Sequence, residues 1–509
     1  MSSTFAQMLR RLAADRPQAP ALTFDGVTWS FDELHARSSR TAQALLSSGV
    51  GPGDRVGVLT RNRAECFELM FACNQVGAIL VGLNWRLARA EIAAIVDDAR
   101  PVVIVVGHGE VGLLDEKTRA TPGLRLVVQL GAEYEAWRAP LPARDTGRDG
   151  APDDVALLLY TSGTTGLPKG VMLTNEGMAH TERLARSWGM GPDSVNLVAM
   201  PMFHIGGCGY GSSTMLVGGH TVLLSEVVPS RVIDCIARHG VTHTFLVPTV
   251  VQSLLQEEGV GAADLSSLQL LMYGAAPMGD VLLRRAMAVL PCRFIQAYGM
   301  TETAGTVVVL PPEDHEPDGA RAALLSAVGR ALPWVELRVV DPATGGDAVP
   351  GMVGEIWLRT RMLMKGYWNK PVETAQTIMP GGWLRTGDAA YQDAQGYVYL
   401  FDRYKDMIIS GGENIYPAEI ENVLNGHPQV REVAVIGVPH PKWGETPRAI
   451  VVPRPGCQPD AQALIDWTRE RLAHYKCPTS ILLAQTLPRN ASGKLLKREL
   501  RRTHGEVQA

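Results

Sequence analysis

The run Tyr160-Thr161-Ser162-Gly163-Thr164-Thr165-Gly166-Leu167-Pro168-Lys169-Gly170 follows the apolar segment Val155 to Leu159 and sets hydroxyls, glycines and one lysine on a single short stretch. Glycines let backbone N–H groups approach anionic oxygens, hydroxyls add donors, and the lysine adds a mobile positive charge. The chemistry on offer is a grip on phosphate. Pro168 stands where a Walker A loop needs a glycine before its lysine, so the run is not that loop. A polar surface turn, the plainer reading, accounts for neither the density of hydroxyls nor the lysine after proline. A second glycine pattern, Gly107-His108-Gly109-Glu110-Val111-Gly112, follows the apolar Val102 to Val106 and matches a dinucleotide fingerprint, with Glu133 placed to bind a ribose. It keeps an NAD-dependent dehydrogenase open as an alternative. Glu110 at the pyrophosphate position and Asp115 and Glu116 in the next turns weigh against it.

The run at 160–170 resembles the phosphate loop of the adenylate-forming superfamily, which comprises acyl-CoA synthetases, luciferases and peptide-synthetase adenylation domains. The resemblance recurs in the family's order over nearly the whole chain: Gly274-Ala275-Ala276-Pro277, Tyr298-Gly299-Met300-Thr301-Glu302, Gly387-Asp388, Asp402-Arg403-Tyr404-Lys405-Asp406, Ser410-Gly411-Gly412-Glu413-Asn414, and Pro488-Arg489-Asn490-Ala491-Ser492-Gly493-Lys494. It is strongest towards medium- or long-chain fatty-acyl-CoA synthetases. It implies ATP, Mg²⁺ and coenzyme A as cofactor and co-substrates, and a carboxylic acid as the small-molecule substrate.

Carried over residue by residue, the resemblance assigns ATP or AMP binding to Thr161, Ser162, Gly163, Thr164, Thr165, Gly166 and Lys169. It adds Gly274, Ala275, Ala276 and Pro277 around adenine, with Tyr298 stacking and Gly299, Met300 and Thr301 beside it. Asp388 would accept from both ribose hydroxyls, and Arg403 would donate to the same nucleotide. A carboxylate attacking the α-phosphorus of ATP brings an anion towards a polyanion, so opposite charge must be preplaced. Lys494, at the family's catalytic lysine position, would bridge the two, although in isolation it reads as one more lysine of a basic tail with Lys497, Arg498, Arg501 and Arg502. Glu302 resembles the metal ligand, and a carboxylate suits Mg²⁺, which prefers hard oxygen donors.

Transfer of the acyl group to a thiol is assigned by the same resemblance to Ser410, Gly411, Gly412 and Glu413, bordering a pantetheine channel after rotation about Lys405. Lys476 and Arg448 are candidate partners for CoA phosphates. Pro201-Met202-Phe203-His204 resembles the entrance to the acyl pocket, with His204 as wall or gate and core histidine as the competing reading. Gly207, Gly209 and Gly211 follow in a helical stretch, where each glycine is unfavourable by up to about 1 kcal/mol relative to alanine. They are read either as widening a pocket for a bulky apolar acid or as allowing close helix packing.

Short Val/Ile/Leu runs alternate with helical patterns, at Arg55 to Leu59 before a helix near Glu65 to Val76, then Val102 to Val106, Val155 to Leu159, Thr221 to Leu224, Thr244 to Val247 and Leu268 to Met272. That alternation predicts an α/β fold with largely buried sheets. From Leu337 onward, short segments with glycine turns predict a small β-rich subdomain. Beyond the charged segment 402–406, a helix at Glu419 to Asn425, strands at Val433 to Val438 and Ala449 to Val452, and a helix at Ala461 to Leu472 predict a compact α+β unit. By resemblance, residues 1–402 form the large ATP- and acyl-binding domain, 403–406 the hinge, and 407–509 a small mobile lid.

At 509 residues the chain is too long for one core. Its net charge of −4 argues against a general nucleic-acid binder. Seven scattered cysteines without a C-x-x-C pair suggest a reducing cytosol. No signal segment or bilayer-spanning stretch is evident, which leaves a cytoplasmic enzyme with peripheral membrane contact and a homodimer as open features. Adenylation feeding a carrier protein or a separate thiolation partner is the second functional reading.

Overall fold

The computed structural model describes residues 4–161, 168–319, 321–403, 406–410, 413–489 and 495–505, with the side chains of 402, 403, 413 and 414 left aside. Ser162, Gly163, Thr164, Thr165, Gly166, Lys405, Gly411, Gly412 and Lys494 therefore lie outside the described residues. Contacts divide the chain into two compact units. The first runs to Ala275 and takes in Ala286–Pro312 and Arg359–Gly382; the second takes in Ala276–Arg285, Glu313–Leu358 and the chain from Trp383 onward. This grouping by packing differs from the expected division at 403–406.

The first unit holds two sheets. In one, the strands run in the order Gly305–Leu310, Arg293–Met300, Leu270–Gly274, His243–Leu246, Val195–Val198, His220–Leu223, Pro20–Phe24, Val27–Ser30. Its inner pairings are parallel and its two outermost pairs here are antiparallel. The other is ordered Gly366–Tyr367, Lys169–Thr174, Val155–Thr161, Ile79–Leu83, Arg55–Leu59, Val103–Val106, Leu126–Gln129. Strands buried on both faces explain why Val103–Val106 and Val155–Thr161 read as continuous apolar runs rather than alternating ones. The apolar stretch from Leu69 to Leu83 becomes the end of the helix Ala64–Val76 and the strand Ile79–Leu83, separated by Gly77 in the left-handed region at φ 80°.

Every residue of the helix Ala64–Val76 is buried, because it touches Pro20–Phe24 of one sheet and Ile79–Leu83 of the other. Most of its polar groups are accordingly paired, although among the described residues the Gln75 amide oxygen is not. Glu68 accepts from Arg37 Nε (2.9 Å), Thr41 Oγ1 (2.6 Å), the Tyr134 hydroxyl (2.6 Å) and Arg138 Nη1 (3.0 Å). Asn74 donates to Asn175 Oδ1 at 2.7 Å and accepts from the Ala6 N–H at 2.9 Å. That second bond docks the amino-terminal helix Phe5–Asp15, whose start is closed by a reciprocal pair between Thr4 and Gln7.

In the second unit, Glu336–Val340, Gly354–Arg359, Trp383–Gln392 and Val398–Arg403 form the β-rich part. The α+β part is built on the long antiparallel pair Val430–His440 and Gly444–Pro453, flanked by Ile408–Ser410, Glu413–Ile415 and Ser480–Leu483. Alternate residues serve two cores. Val433 and Val435 pack with Ile420, Leu424 and Leu464, whereas Ala434, Ile436 and Val438 pack with Leu487 and Leu500. The helix expected over 461–472 ends at Arg469. No helix among the described residues is long and apolar enough to cross a membrane.

Candidate functional site

Thr161 ends the strand Val155–Thr161 and pairs across the sheet with Lys169, which opens the antiparallel strand Lys169–Thr174. The element after the phosphate-loop run is therefore a strand, where a Walker A loop leads into a helix. With a strand rather than a helix N-terminus at the loop exit, Lys169 brings positive charge there as a side chain rather than as a helix dipole. Its ammonium lies 5.0 Å from the centre of the Tyr367 ring, a cation–π contact. Tyr160, just before the run, donates to Asp98 Oδ2 at 2.7 Å, and burial with that carboxylate pushes its phenol far above the ordinary value. It is a structural donor.

Glu302 lies in the short 3₁₀ turn Thr301–Thr303, which follows the strand Arg293–Met300. The buried Thr303 hydroxyl accepts the Met300 N–H at 3.1 Å and donates to the Gly305 carbonyl at 2.7 Å, and Ala304 closes the turn in the left-handed region at φ 51°. The Glu302 carboxylate is 7% exposed, and its Oε1 accepts from the Tyr367 hydroxyl at 2.9 Å. Its backbone carbonyl accepts the Met364 N–H at 2.8 Å. Among the described residues no cation is paired with Glu302, and no cluster of three or more metal-ligating side chains occurs. A lone anionic carboxylate fits Mg²⁺, which takes one or two protein oxygens and fills its remaining positions with phosphate and water.

The strands Arg293–Met300, Leu270–Gly274, His243–Leu246 and Val195–Val198 are successive parallel neighbours, so the segments leaving their carboxy-terminal ends share one edge of the sheet. That edge gathers Gly274 and Ala275, Tyr298 to Glu302, and Pro201 to His204, motifs far apart in the chain. It is the edge at which open α/β sheets bind ligands. Ala275 is held at φ 63°, an uncommon conformation for a residue with a Cβ, and Tyr298 is half-buried beside a bulge at Gly299.

His204 caps the helix Ile205–Leu216 and is half-buried, its ring 4.5 Å from that of Phe203. Ile205 and Gly206 are half-buried too, whereas everything from Gly207 to Leu216 is buried. A Cβ on Gly207 would collide with the Pro201 carbonyl and come within 2.8 Å of the Met200 carbonyl oxygen. On Gly211 it would lie 3.2 Å from Phe67 and Val198, and on Gly209 it would come within 2.8 Å of Ile205. Close packing of this buried helix accounts for Gly207 and Gly211 without a substrate.

In the second unit the register sets Asp388 across from Arg403 on the antiparallel strands Trp383–Gln392 and Val398–Arg403, bringing the two ribose candidates together. The Gly387 N–H donates to Glu355 Oε1 at 3.1 Å, fixing the turn before Asp388. Ser410 pairs with Glu413 across a hairpin. Asp406, beside the expected hinge residue Lys405, is buried and bonds Arg501 at 2.7 Å. Arg448 is not placed as a phosphate partner: it is buried, with Nε donating to Ser480 Oγ at 2.8 Å and Nη1 to the His504 carbonyl at 2.7 Å. Lys476 pairs with Glu419 at 2.8 Å.

The dinucleotide pattern has a packing explanation. His108–Leu113 is a 3₁₀ turn rather than the start of a long helix, and Gly107 leaves room for Thr60 and the buried Glu110 carboxylate, which a Cβ would strike. An anionic side chain occupies the place that pyrophosphate would need. Nor do the buried thiols of Cys66 and Cys208 offer nucleophiles, since burial pushes both up to about 12.

Sequence reasoning missed Tyr367. Its partner Glu302 is 65 positions away, and the local context Lys365 to Pro371 carries no signal of the contact.

Residues 9–368 match the AMP-binding enzyme family, and residues 419–494 match the AMP-binding enzyme C-terminal domain. The chain belongs to the AMP-binding enzymes. This AMP-binding enzyme is 40% identical over 506 residues to the fatty acid–acyl-carrier-protein ligase ScoC of Streptomyces coeruleorubidus, covering 98% of this chain and 96% of that one. It is 39% identical over 510 residues to a feruloyl-CoA synthase of an Amycolatopsis species, covering 97% and 98%. It is also similar to the crystal structure of ATP-bound MatB from Rhodopseudomonas palustris, with a TM-score of 0.92, 32% identity, and 99% and 100% of the two chains covered. As an AMP-binding enzyme the protein is an AMP-forming acid–thiol ligase that uses ATP, and the dehydrogenase alternative is set aside.

Proposed function

We propose that the enzyme is a Mg²⁺-dependent acid–CoA ligase acting on a hydrophobic acid, long-chain or bulky alicyclic or terpenoid. In the first half-reaction the carboxylate oxygen bonds to the α-phosphorus of ATP and the bond to the bridging oxygen of pyrophosphate breaks. In the second, the CoA sulfur attacks the acyl carbon, AMP leaves with the bonding pair, and the thiol proton passes to solvent. The observation carrying the Mg²⁺–ATP part of the reading is the Glu302 carboxylate, buried with one neutral donor and tied through 364–367 to the strand that leaves the phosphate loop. Mg²⁺ bound with ATP would neutralise phosphate charge there. Lys169 adds charge at the loop exit, Tyr298 and the Gly274–Pro277 segment cradle adenine, and Asp388 with Arg403 holds the ribose. Lys494 bridges the two reacting anions, the 403–406 hinge re-presents the lid, and Ser410 to Glu413 borders the thiol channel. His204 walls the acyl site.

ScoC supports a second reading, in which a carrier-protein thiol accepts the acyl group. AMP release from a panel of aliphatic, aromatic and polycyclic acids, with CoA, with a phosphopantetheinylated carrier and with neither, tests both. Turnover of short polar acids alone would overturn the hydrophobic assignment, and turnover with carrier but not CoA would replace the CoA reading. Lys494→Ala should cut acyl-AMP formation by at least ~10²-fold while thioester formation from supplied acyl-AMP survives. Equal loss in both steps would remove Lys494 from its role.

A further inference from the structure

We infer that Tyr367 is a positioning residue for metal-bound ATP, holding the Glu302 carboxylate in the orientation in which its second oxygen is offered to Mg²⁺. The inference rests on the reading of Glu302 as metal ligand and goes beyond it. Gly366–Tyr367 is an edge strand added antiparallel to Lys169–Thr174, with Tyr367 opposite Val171 and Gly366 opposite Met172. Trp368 N–H donates to the Gly170 carbonyl at 2.7 Å, and Lys365 N–H to the Met172 carbonyl at 2.9 Å. Tyr367 N–H is held by Thr374 Oγ1 at 2.9 Å. The backbone of this segment is thus pinned to the strand that leaves the phosphate loop.

From that anchored backbone two bonds reach Glu302, in the turn between two strands of the other sheet. Met364 N–H binds the Glu302 carbonyl at 2.8 Å, and the Tyr367 hydroxyl binds Glu302 Oε1 at 2.9 Å. Tyr367 is 8% exposed and Glu302 7%. The identity of the donor matters. An arginine here would cancel the carboxylate's charge, whereas a phenol fixes one oxygen and leaves the group anionic, the state a hard cation needs. The same ring carries the Lys169 ammonium at 5.0 Å from its centre. One side chain therefore touches both the Glu302 carboxylate and the Lys169 ammonium. Partners that orient a metal ligand commonly change metal affinity by roughly 10- to 100-fold when removed.

Tyr367→Phe keeps the ring and deletes only the hydroxyl. Mn²⁺, as a paramagnetic probe, is titrated into the enzyme with saturating α,β-methylene-ATP, and bound metal is read by electron paramagnetic resonance. The expected result is a rise of about 10-fold or more in the Mn²⁺ dissociation constant. Metal-free AMP binding should be unchanged, and Mg²⁺-dependent pyrophosphate exchange should recover at high Mg²⁺. Unchanged Mn²⁺ binding in Tyr367→Phe, with weakened binding in Glu302→Gln, overturns the role of Tyr367 and leaves Glu302 standing. Unchanged binding in both removes the Glu302 reading and this inference with it. Parallel loss of AMP binding and of thioester formation from supplied acyl-AMP would show a purely structural tyrosine and would also overturn it.

Discussion

Gly207 sits in the first turn of the helix Ile205–Leu216 with its Cα facing the carbonyls of Met200 and Pro201. The space a methyl group would need is filled by backbone, which cannot swing aside as the end of a long side chain can. Gly207→Ala should therefore destabilise the protein by about 1–3 kcal/mol, the usual range for overpacking. Thermal and urea unfolding would check this. If packing is its whole role, the ranking of acids accepted by the enzyme stays the same. A changed ranking with little loss of stability would restore Gly207 to the acyl pocket. The half-buried His204, Ile205 and Gly206 are the better places to look for acid selectivity, because within 202–216 only they retain surface that a substrate could cover.

At the scale of elements, the fully buried helix Ala64–Val76 is tied to its neighbours by ions. Glu68 and Arg138 are 1% and 2% exposed and 3.0 Å apart, with Tyr134 and Thr41 donating to the same oxygen and Arg37 to the other. Removing Arg138 takes away the buried counter-ion and leaves Glu68 with the more exposed Arg37. Arg138→Leu should cost about 3–5 kcal/mol of unfolding free energy. Arg37→Leu, which removes a more exposed partner of the same carboxylate, should cost under about 1 kcal/mol. Chemical denaturation of the two variants side by side distinguishes a buried network from a set of surface pairs, since equal effects would contradict the geometry.

For the molecule as a whole, two groups predict how stability follows pH. Burial lowers the pKa of His220 to about 4, with the charge of His239 acting in the same direction. Between the unfolded value of about 6.5 and 4, the unfolded chain holds a proton that the folded chain refuses. The contribution of His220 is thus complete above about pH 6.5 and lost as pH falls towards 4. Burial opposes ionisation of Asp145, but hydrogen bonds from Arg10, the Gly147 N–H and His35 prevail and bring it to about 2. Its stabilisation is present above about pH 4 and lost as pH falls through 2. His220→Gln should flatten the loss between pH 6.5 and 4, while Asp145→Asn should be weaker at pH 7 and converge with the parent near pH 2. Unfolding midpoints across that range provide the check. For domain motion, Lys405→Pro fixes φ at the proposed hinge, so adenylation should persist while CoA transfer falls several-fold in single-turnover assays. Matched loss of both steps would count against a lid that works in two positions.

The types and order of the motifs carry the chemistry locally. A hydroxyl-rich glycine run before a lysine can grip phosphate wherever it is placed, and apolar runs of strand length announce buried sheets because both faces must avoid water. For that reason the α/β alternation was legible along the chain, and the phosphate run and the Glu302 motif stood out as candidates. Which residues meet across the fold was not. Parallel pairing of Val195–Val198, His243–Leu246, Leu270–Gly274 and Arg293–Met300 brings His204, Ala275 and Glu302 to one sheet edge through crossovers whose path no local pattern specifies. The strand after Lys169, where a helix would complete a Walker A loop, follows from the antiparallel partner it finds in Val155–Thr161. The glycine fingerprint at 107–112 had the right letters, but a buried Glu110 fills the space the glycines leave. Tyr367 acquires its role only because an edge strand delivers its hydroxyl to a carboxylate remote in sequence, and hydrogen bonds between distant segments are made by tertiary packing, which spacing alone does not encode.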